Sequence, residues 1–153
     1  MLVVLPNKEV AEHWDIFKEV LRTCVPHTPD MLPNWLTECL FLAMCGRIQC
    51  WLAFDPAMKK DEFYAAFITK RVTDELTGQS ALLVYAIQVF AKASKETRIK
   101  DMQTLGDIAT SMGVRRITAY CLSPVIANAL RKAFPEIEET TFLAVPLHKE
   151  EER

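Results

Sequence analysis

The residues best placed to act on a ligand lie together after an apolar run. Ala81 to Phe90 reads as a buried strand, and Ala91, Lys92, Ala93, Ser94, Lys95, Glu96, Thr97 and Arg98 form a polar loop leading into a helix that Gly113 ends. Open α/β sheets hold ligands at the carboxyl ends of their strands, and the free N–H groups at a helix start attract anions. A phosphate cradle normally carries glycines, because a side chain hinders close backbone approach and positive φ; this loop has none. Glu96 sets a carboxylate beside any bound phosphate, and Lys92, Lys95 and Arg98 partly offset it. Ser94 and Thr97 also have the short hydroxyl side chains that cap helices, so the segment reads first as ordinary capping and solvation and only second as a phosphate site.

Other chemistries have less to stand on. The five cysteines, Cys24, Cys39, Cys45, Cys50 and Cys121, include no C-x-x-C pair, which argues against a zinc or redox site. They fall in apolar helical or strand-like stretches and read as small buried hydrophobes in a reducing cytosol. His13, His27 and His148 are scattered, and Cys24 with His27 is the one near pair for a Cys–His nucleophile. Ser80 and Ser123 lack a nucleophile-elbow context. Arg115 and Arg116, at the start of a strand, are expected to join Lys92, Lys95 and Arg98 in a basic rim facing phosphates, a nucleic acid or an acidic protein, with a solvated face as the default.

The elements that must position these residues follow from periodicity. Leu2 to Leu5 reads as a short strand closed by Pro6, with Asn7 as the cap of a helix whose stripe is Val10, Trp14, Phe17, Val20 and Leu21. Asp30 or Asn34 opens a second helix through Trp35, Leu36, Cys39, Leu40, Leu42 and Ala43, which Gly46 ends. Ile48, Cys50, Leu52 and Phe54 share one face of a strand, with Trp51 and Ala53 on the other. After a turn at Asp55-Pro56, Phe63 to Val72 and Ser80 to Phe90 complete an antiparallel meander. The crossover helix carries Ile99, Met102, Leu105, Ile108, Ala109 and Met112 inward, with Lys100, Asp101, Gln103 and Asp107 facing water. Val114 to Cys121 reads as a strand, Ser123-Pro124 as a helix cap, Val125 to Phe134 as a short helix and Thr140 to Leu147 as a last strand.

Composition bounds the rest. The chain has 153 residues, 50% hydrophobic and 25% charged, enough for one globular domain, 1–147, followed by a charged tail, 148–153. A net charge of −2 argues against general nucleic-acid binding and a polybasic membrane anchor. No apolar run reaches transmembrane length, and residues 1–6 lack the basic start and length of a signal peptide. The expected location is the cytoplasm.

The order strand, two helices, three-strand meander, helix, strand, helix, strand resembles the GNAT acyl-CoA N-acyltransferase superfamily, from Val10 to Leu147. The segments Gln49-Cys50-Trp51-Leu52-Ala53 and Asp107 to Ile117, with its Ala109-x-x-x-Gly113 spacing, are similar to those of GNAT-like proteins of bacteriophage and prophage. The stretch Asn128 to Phe134 looks like the superfamily's N-x-x-A…GF segment, with alanine where glycine is usual. The resemblance implies an α/β (α+β) fold, a mixed, splayed central sheet flanked by helices on both faces. It also implies that the pantetheine arm of acetyl-CoA or another acyl-CoA lies where the third meander strand parts from the next, and that a Q/R-x-x-G-x-G/A loop wraps the pyrophosphate. The cofactor contacts so implied are Val89, Phe90, Ala91, Ser94, Lys95, Thr97 and Arg98. A carboxylate on the meander commonly takes the amine's proton, but Ala81 to Phe90 holds none, Glu62 sits at a strand start and Glu75 in a turn. The superfamily's tyrosine acid falls near Ala129, which leaves Tyr85 and Tyr120 on the sheet as catalytic candidates. Proximity alone also supplies much of the rate in such transfers. The implied function is acyl transfer to a small-molecule or protein amine, in a chain free to form a homo-oligomer. The alternative is a non-catalytic GNAT-fold binding or assembly module of phage or prophage origin with a degenerate CoA loop, whose partners are phage or prophage proteins.

Overall fold

The computed structural model of the chain describes residues 1–28, 31–60, 62–119, 127–128, 131–132 and 136–138. The chain divides into two compact units, 1–120 and 121–153. In the first unit the elements are β1 (Leu2–Val4), α1 (Asn7–Val10), α2 (Trp14–Cys24), α3 (Trp35–Met44), β2 (Gln49–Phe54), β3 (Phe63–Thr73), β4 (Ser80–Val89), α4 (Lys95–Ser111) and β5 (Arg116–Ala119). In the second, Ala127, Asn128, Arg131 and Lys132 are helical, and Arg131 Nη1 donates to Asn128 Oδ1 at 2.7 Å. The expected Ser123-Pro124 cap, the last strand and the tail lie outside the described residues.

The five strands form one sheet in the order β1-β2-β3-β4-β5. Neighbours from β1 to β4 are antiparallel, as the short connections require, and β5 is parallel to β4 after the crossover through α4. Strand alternation builds two cores. On one face Cys50, Leu52, Ala66 and Ile68 pack with Trp14, Phe17, Val20 and Leu21 of α2. On the other, Trp51, Phe67, Leu82 and Val84 pack with Leu105 and Ala109 of α4. The Trp51 and Phe67 rings stack 5.7 Å apart. The Trp51 indole N–H donates to the buried Thr69 hydroxyl at 2.8 Å, and that hydroxyl donates to Gln49 Oε1 at 3.0 Å.

Several expectations are corrected. Asn7 does not cap from outside: it is the first residue of α1, Pro6 stands at the cap position, and α1 is separate from α2. Of the two residues expected to open the second helix, Asn34 does so, at the α3 cap position; its side-chain amide donates to Glu38. Asp101 does not face water. The i, i+4 series Asp101, Leu105 and Ala109 is the buried stripe of α4, while Ile99 is 41% exposed. Cys45, expected in the core, is exposed at the end of α3.

The β3–β4 ladder carries one irregularity. Ile68 pairs with Ala86 and Thr69 with Val84, which leaves Tyr85 as the extra residue of a bulge. Before it, Leu82 and Val84 point toward α4; after it, Ala86 points toward α2 and Ile87 toward α4.

Candidate functional site

Beyond the bulge, β4 has a distinctive edge. The Phe90 N–H donates to the Tyr64 carbonyl at 2.8 Å, so the alternation of an antiparallel ladder puts Gln88 and Ala86 in hydrogen-bonded pairs with β3. The N–H and C=O groups of Ile87 and Val89 turn the other way. The described pairing of β4 with β5 runs from Ala81↔Arg116 to Val84↔Ala119. The partner seen for this edge among the described residues is Cys24, whose thiol donates to the Ile87 carbonyl at 3.1 Å. Burial pushes the Cys24 thiol up from its ordinary value, which keeps it a donor. Gln88 Oε1 is buried with no hydrogen-bond partner among the described residues. Phe90 leaves the strand with its ring edge-on to Phe63, 5.5 Å away.

Where this edge ends, α4 begins. Ser94 is its N-cap: the hydroxyl accepts the Thr97 N–H at 3.0 Å, and the Ser94 carbonyl accepts the Arg98 N–H at 3.2 Å. Among the described residues no protein group accepts from Lys95 N–H or Glu96 N–H, and a helix start is positively polarised. Asp55, from the turn after β2, is drawn into this field. Its Oδ2 accepts the Ser94 N–H at 2.8 Å and its Oδ1 the Ala57 N–H at 3.0 Å. The backbone N–H of Ala57, then that of Ser94, hold its carboxyl below the usual carboxylate range.

A third group lies between β3 and α4. The buried Tyr64 hydroxyl donates to Asp101 Oδ2 at 2.9 Å, and the Met1 amino group pairs with Asp101 Oδ1 at 3.2 Å. The same amino group also donates to the Phe54 carbonyl. Burial, followed by the bond to Asp101 and its charge, pushes the Tyr64 phenol well above its ordinary value. At neutral pH Tyr64 is therefore a fixed donor that holds a buried carboxylate in place.

The expected site residues are thus partly gathered. Val89 closes β4, Phe90, Ala91 and Ser94 lie in the connection that follows, and Lys95, Thr97 and Arg98 fall in the first turn of α4. Tyr85 is the bulge residue itself, 38% exposed, and Tyr120 lies outside the described residues. Arg115 and Arg116 do not join Lys92, Lys95 and Arg98 in one rim. Arg116 pairs with Ala81, at the opposite end of β4 from the loop. Cys24 and His27 form no dyad, since the thiol bonds the Ile87 carbonyl and the imidazole lies edge-on to Trp35 at 6.0 Å. Asp55, Tyr64 and Asp101 were missed. The one signal for the pair was a tyrosine and an aspartate in otherwise apolar phases of β3 and α4. Among the described residues no cluster of metal-ligating side chains occurs, and no helix is long and apolar enough to cross a membrane.

Solved structures share this architecture over nearly the whole chain. A ribosomal-protein-alanine N-acetyltransferase from Brucella melitensis biovar Abortus 2308 superposes with a TM-score of 0.63 at 13% identity, covering 96% of this chain and 99% of its own. A predicted acetyltransferase from Clostridium acetobutylicum, crystallised with acetyl-CoA, gives 0.66 at 11% identity and 95% coverage of both chains. An aminoglycoside acetyltransferase from an uncultured soil metagenomic sample, in complex with sisomicin, gives 0.67 at 11% identity, covering 97% and 96%. No protein-family model matches the sequence, and no curated protein is significantly similar to it. The chain therefore has the GNAT acetyltransferase fold, a mixed sheet flanked by helices. Kinship with phage and prophage proteins finds no support in these structures.

Proposed function

We propose that the chain, as a single domain over 1–147 with a tail at 148–153, is a cytoplasmic N-acetyltransferase that binds acetyl-CoA or another acyl-CoA along β4. The observation that carries this is the edge beyond the Tyr85 bulge, where the main-chain groups of Ile87 and Val89 turn away from β3 just before the start of α4. An extended arm with amide groups fits such an edge as a strand would. Val89, Phe90 and Ala91 would flank the arm. The N–H groups of Lys95 and Glu96, with the side chains of Ser94, Lys95, Thr97 and Arg98, would meet the phosphates. A primary amine attacks the thioester carbonyl, the C–N bond forms, the C–S bond breaks, and the CoA thiolate leaves. The amine's proton passes to water, and Tyr85 or Tyr120 is the candidate donor to the thiolate. The aminoglycoside relative supports small polyamines as the first acceptors to try.

A ligand that binds the folded state stabilises it by about 2.7 kcal/mol at about a hundred times its dissociation constant. The melting temperature should therefore rise with acetyl-CoA and with CoA, and amines should release free thiol from acetyl-CoA. No shift at millimolar CoA would remove the proposal. The position of Asp55, a carboxylate already set against the start of α4, favours a second reading as a binding module on the same fold. That reading predicts folded protein with neither CoA stabilisation nor thiol release.

A further inference from the structure

We infer that the sheet end remote from α4's start is a docking site for an extended acidic peptide, which pairs with β3 beyond the point where β2 begins. A cavity of about 470 Å³ opens there, with Arg47, Gln49, Lys70 and Arg71 among its lining residues and Leu42 and Met112 as its apolar walls.

The backbone supplies half of the site. Pairing of β2 with β3 starts at Gln49↔Thr69, whereas β3 runs on to Thr73 against β4. The Asp74 N–H donates to the Gln79 carbonyl at 2.8 Å, and Phe90 to Tyr64. Even-numbered residues of β3 therefore bond β4, and the N–H and C=O of Arg71 and Thr73 face the side that β2 has vacated. Extending the β2–β3 register would set Arg47 opposite Arg71. Instead the Arg47 and Ile48 N–H groups turn back to the Leu42 carbonyl at the end of α3. The result is a notch with strand geometry on one wall and, among the described residues, no strand in it.

Charge supplies the other half. Arg47, Lys70 and Arg71 are exposed, and among the described residues none has an acidic partner; the ion pairs found are Met1–Asp101 and Lys18–Asp15. Asp74, nearby along the chain, has its Oδ1 engaged by the N–H groups of Leu76 and Thr77. Opposed like charges on a strand edge are unfavourable, and they repel a second basic edge of the same kind. Carboxylates on an incoming strand reverse the sign of both effects, since each guanidinium presents a bidentate fork to a carboxylate. The occupant favoured is thus a peptide segment with acidic residues in an extended conformation.

The test is fluorescence anisotropy of a labelled peptide of alternating glutamate and valine, at low salt, on the full chain. Saturable binding is expected, weakened about ten-fold or more by the double substitution Arg47→Glu/Arg71→Glu. Comparable weakening is expected from N-methylation of the central peptide amides. If the double variant does not fold, the single substitutions Lys70→Gln and Arg71→Gln, checked by thermal melting, carry the same expectation. Stabilisation by CoA should be unchanged in all of them, which separates this site from the β4 edge. The inference is overturned by any of four results: no binding at millimolar peptide, equal binding of the glutamine analogue, indifference to N-methylation, or tighter binding of a single-stranded oligonucleotide of equal charge.

Discussion

The two ends of the sheet treat negative charge in opposite ways. At the end where β4 gives way to α4, the positive pole of the helix meets a carboxylate from the chain itself, Asp55, held by the Ser94 and Ala57 N–H groups. At the other end Arg47, Lys70 and Arg71 line an open notch with no acidic partner among the described residues. The first arrangement answers a local need, because the N–H groups at a helix start must find acceptors. The second answers no need of the fold: long charged side chains in water contribute little to stability. Charge that a fold neutralises internally is structural in origin, and charge it leaves open is available to a partner.

Substitutions can break or sharpen that contrast. The largest effect should come from Trp51, which lies in the core between the two ends. Trp51→Ala should cost about 3–5 kcal/mol in urea unfolding, lowering both functions together and serving as the control for loss of fold. Tyr64→Phe should cost about 1–3 kcal/mol, because the buried Asp101 carboxylate loses a donor. It also has a pH signature. The folded-state pKa of Tyr64 lies above the unfolded value of about 10, so its contribution is intact below that pH and is lost as pH rises through the folded value. Removing the hydroxyl should flatten this alkaline decline, and an unchanged alkaline limb would count against the Tyr64–Asp101 bond.

Asp55 behaves with the opposite sign. Its folded pKa is depressed, so its contribution is present above about pH 3.9 and disappears as pH falls through the folded value. Asp55→Asn should lower the melting temperature at pH 7, remove that acid sensitivity and, by taking a carboxylate from the start of α4, tighten CoA binding several-fold by calorimetry. Unchanged CoA affinity would break the idea that Asp55 competes with a ligand there. The smallest effect belongs to the notch: Arg71→Ala should shift stability by no more than about 0.5 kcal/mol in urea unfolding. A larger loss would give Arg71 a structural duty and erase the contrast.

Much of the scaffold was legible because its cause is periodic. The alternation of Cys50 and Leu52 with Trp51 and Ala53 assigns both faces of β2 from the sequence alone: the first pair packs with α2, while Trp51 joins the α4 core and Ala53 a smaller cluster with Tyr64, Ala65 and Ala93. Gly113, at φ 71, stops α4 as its type and place suggested. The cap at Ser94 was also within reach of the sequence, because capping acts over three residues. Asp55 was readable as a turn residue but not as the partner of Ser94, which is 39 positions away. Asp101 was assigned to solvent because a charged helical residue usually belongs there; its reversal depends on Tyr64, 37 positions back. The bulge at Tyr85 left no trace, since the run Ala81 to Ile87 is apolar on both faces and offers no alternation to interrupt. The sheet end at Arg47 and Arg71 was invisible for a related reason: where one strand stops short of its neighbour is decided by the α3–β2 connection, not by the strands.

That single additional residue in β4 makes the strand two half-strands of opposite phase. Even positions speak to α4 before Tyr85 and to α2 after it. A chain from which Tyr85 had been excised would still be a plausible strand by composition. It would pair regularly along its whole length and keep each side chain in its layer, because Val84 and Ala86 already face the adjacent Thr69 and Ile68. With Tyr85 kept but pressed into unbroken alternation, Ala86 would instead enter the layer built for Leu82 and Val84, and Ile87 would turn toward α2.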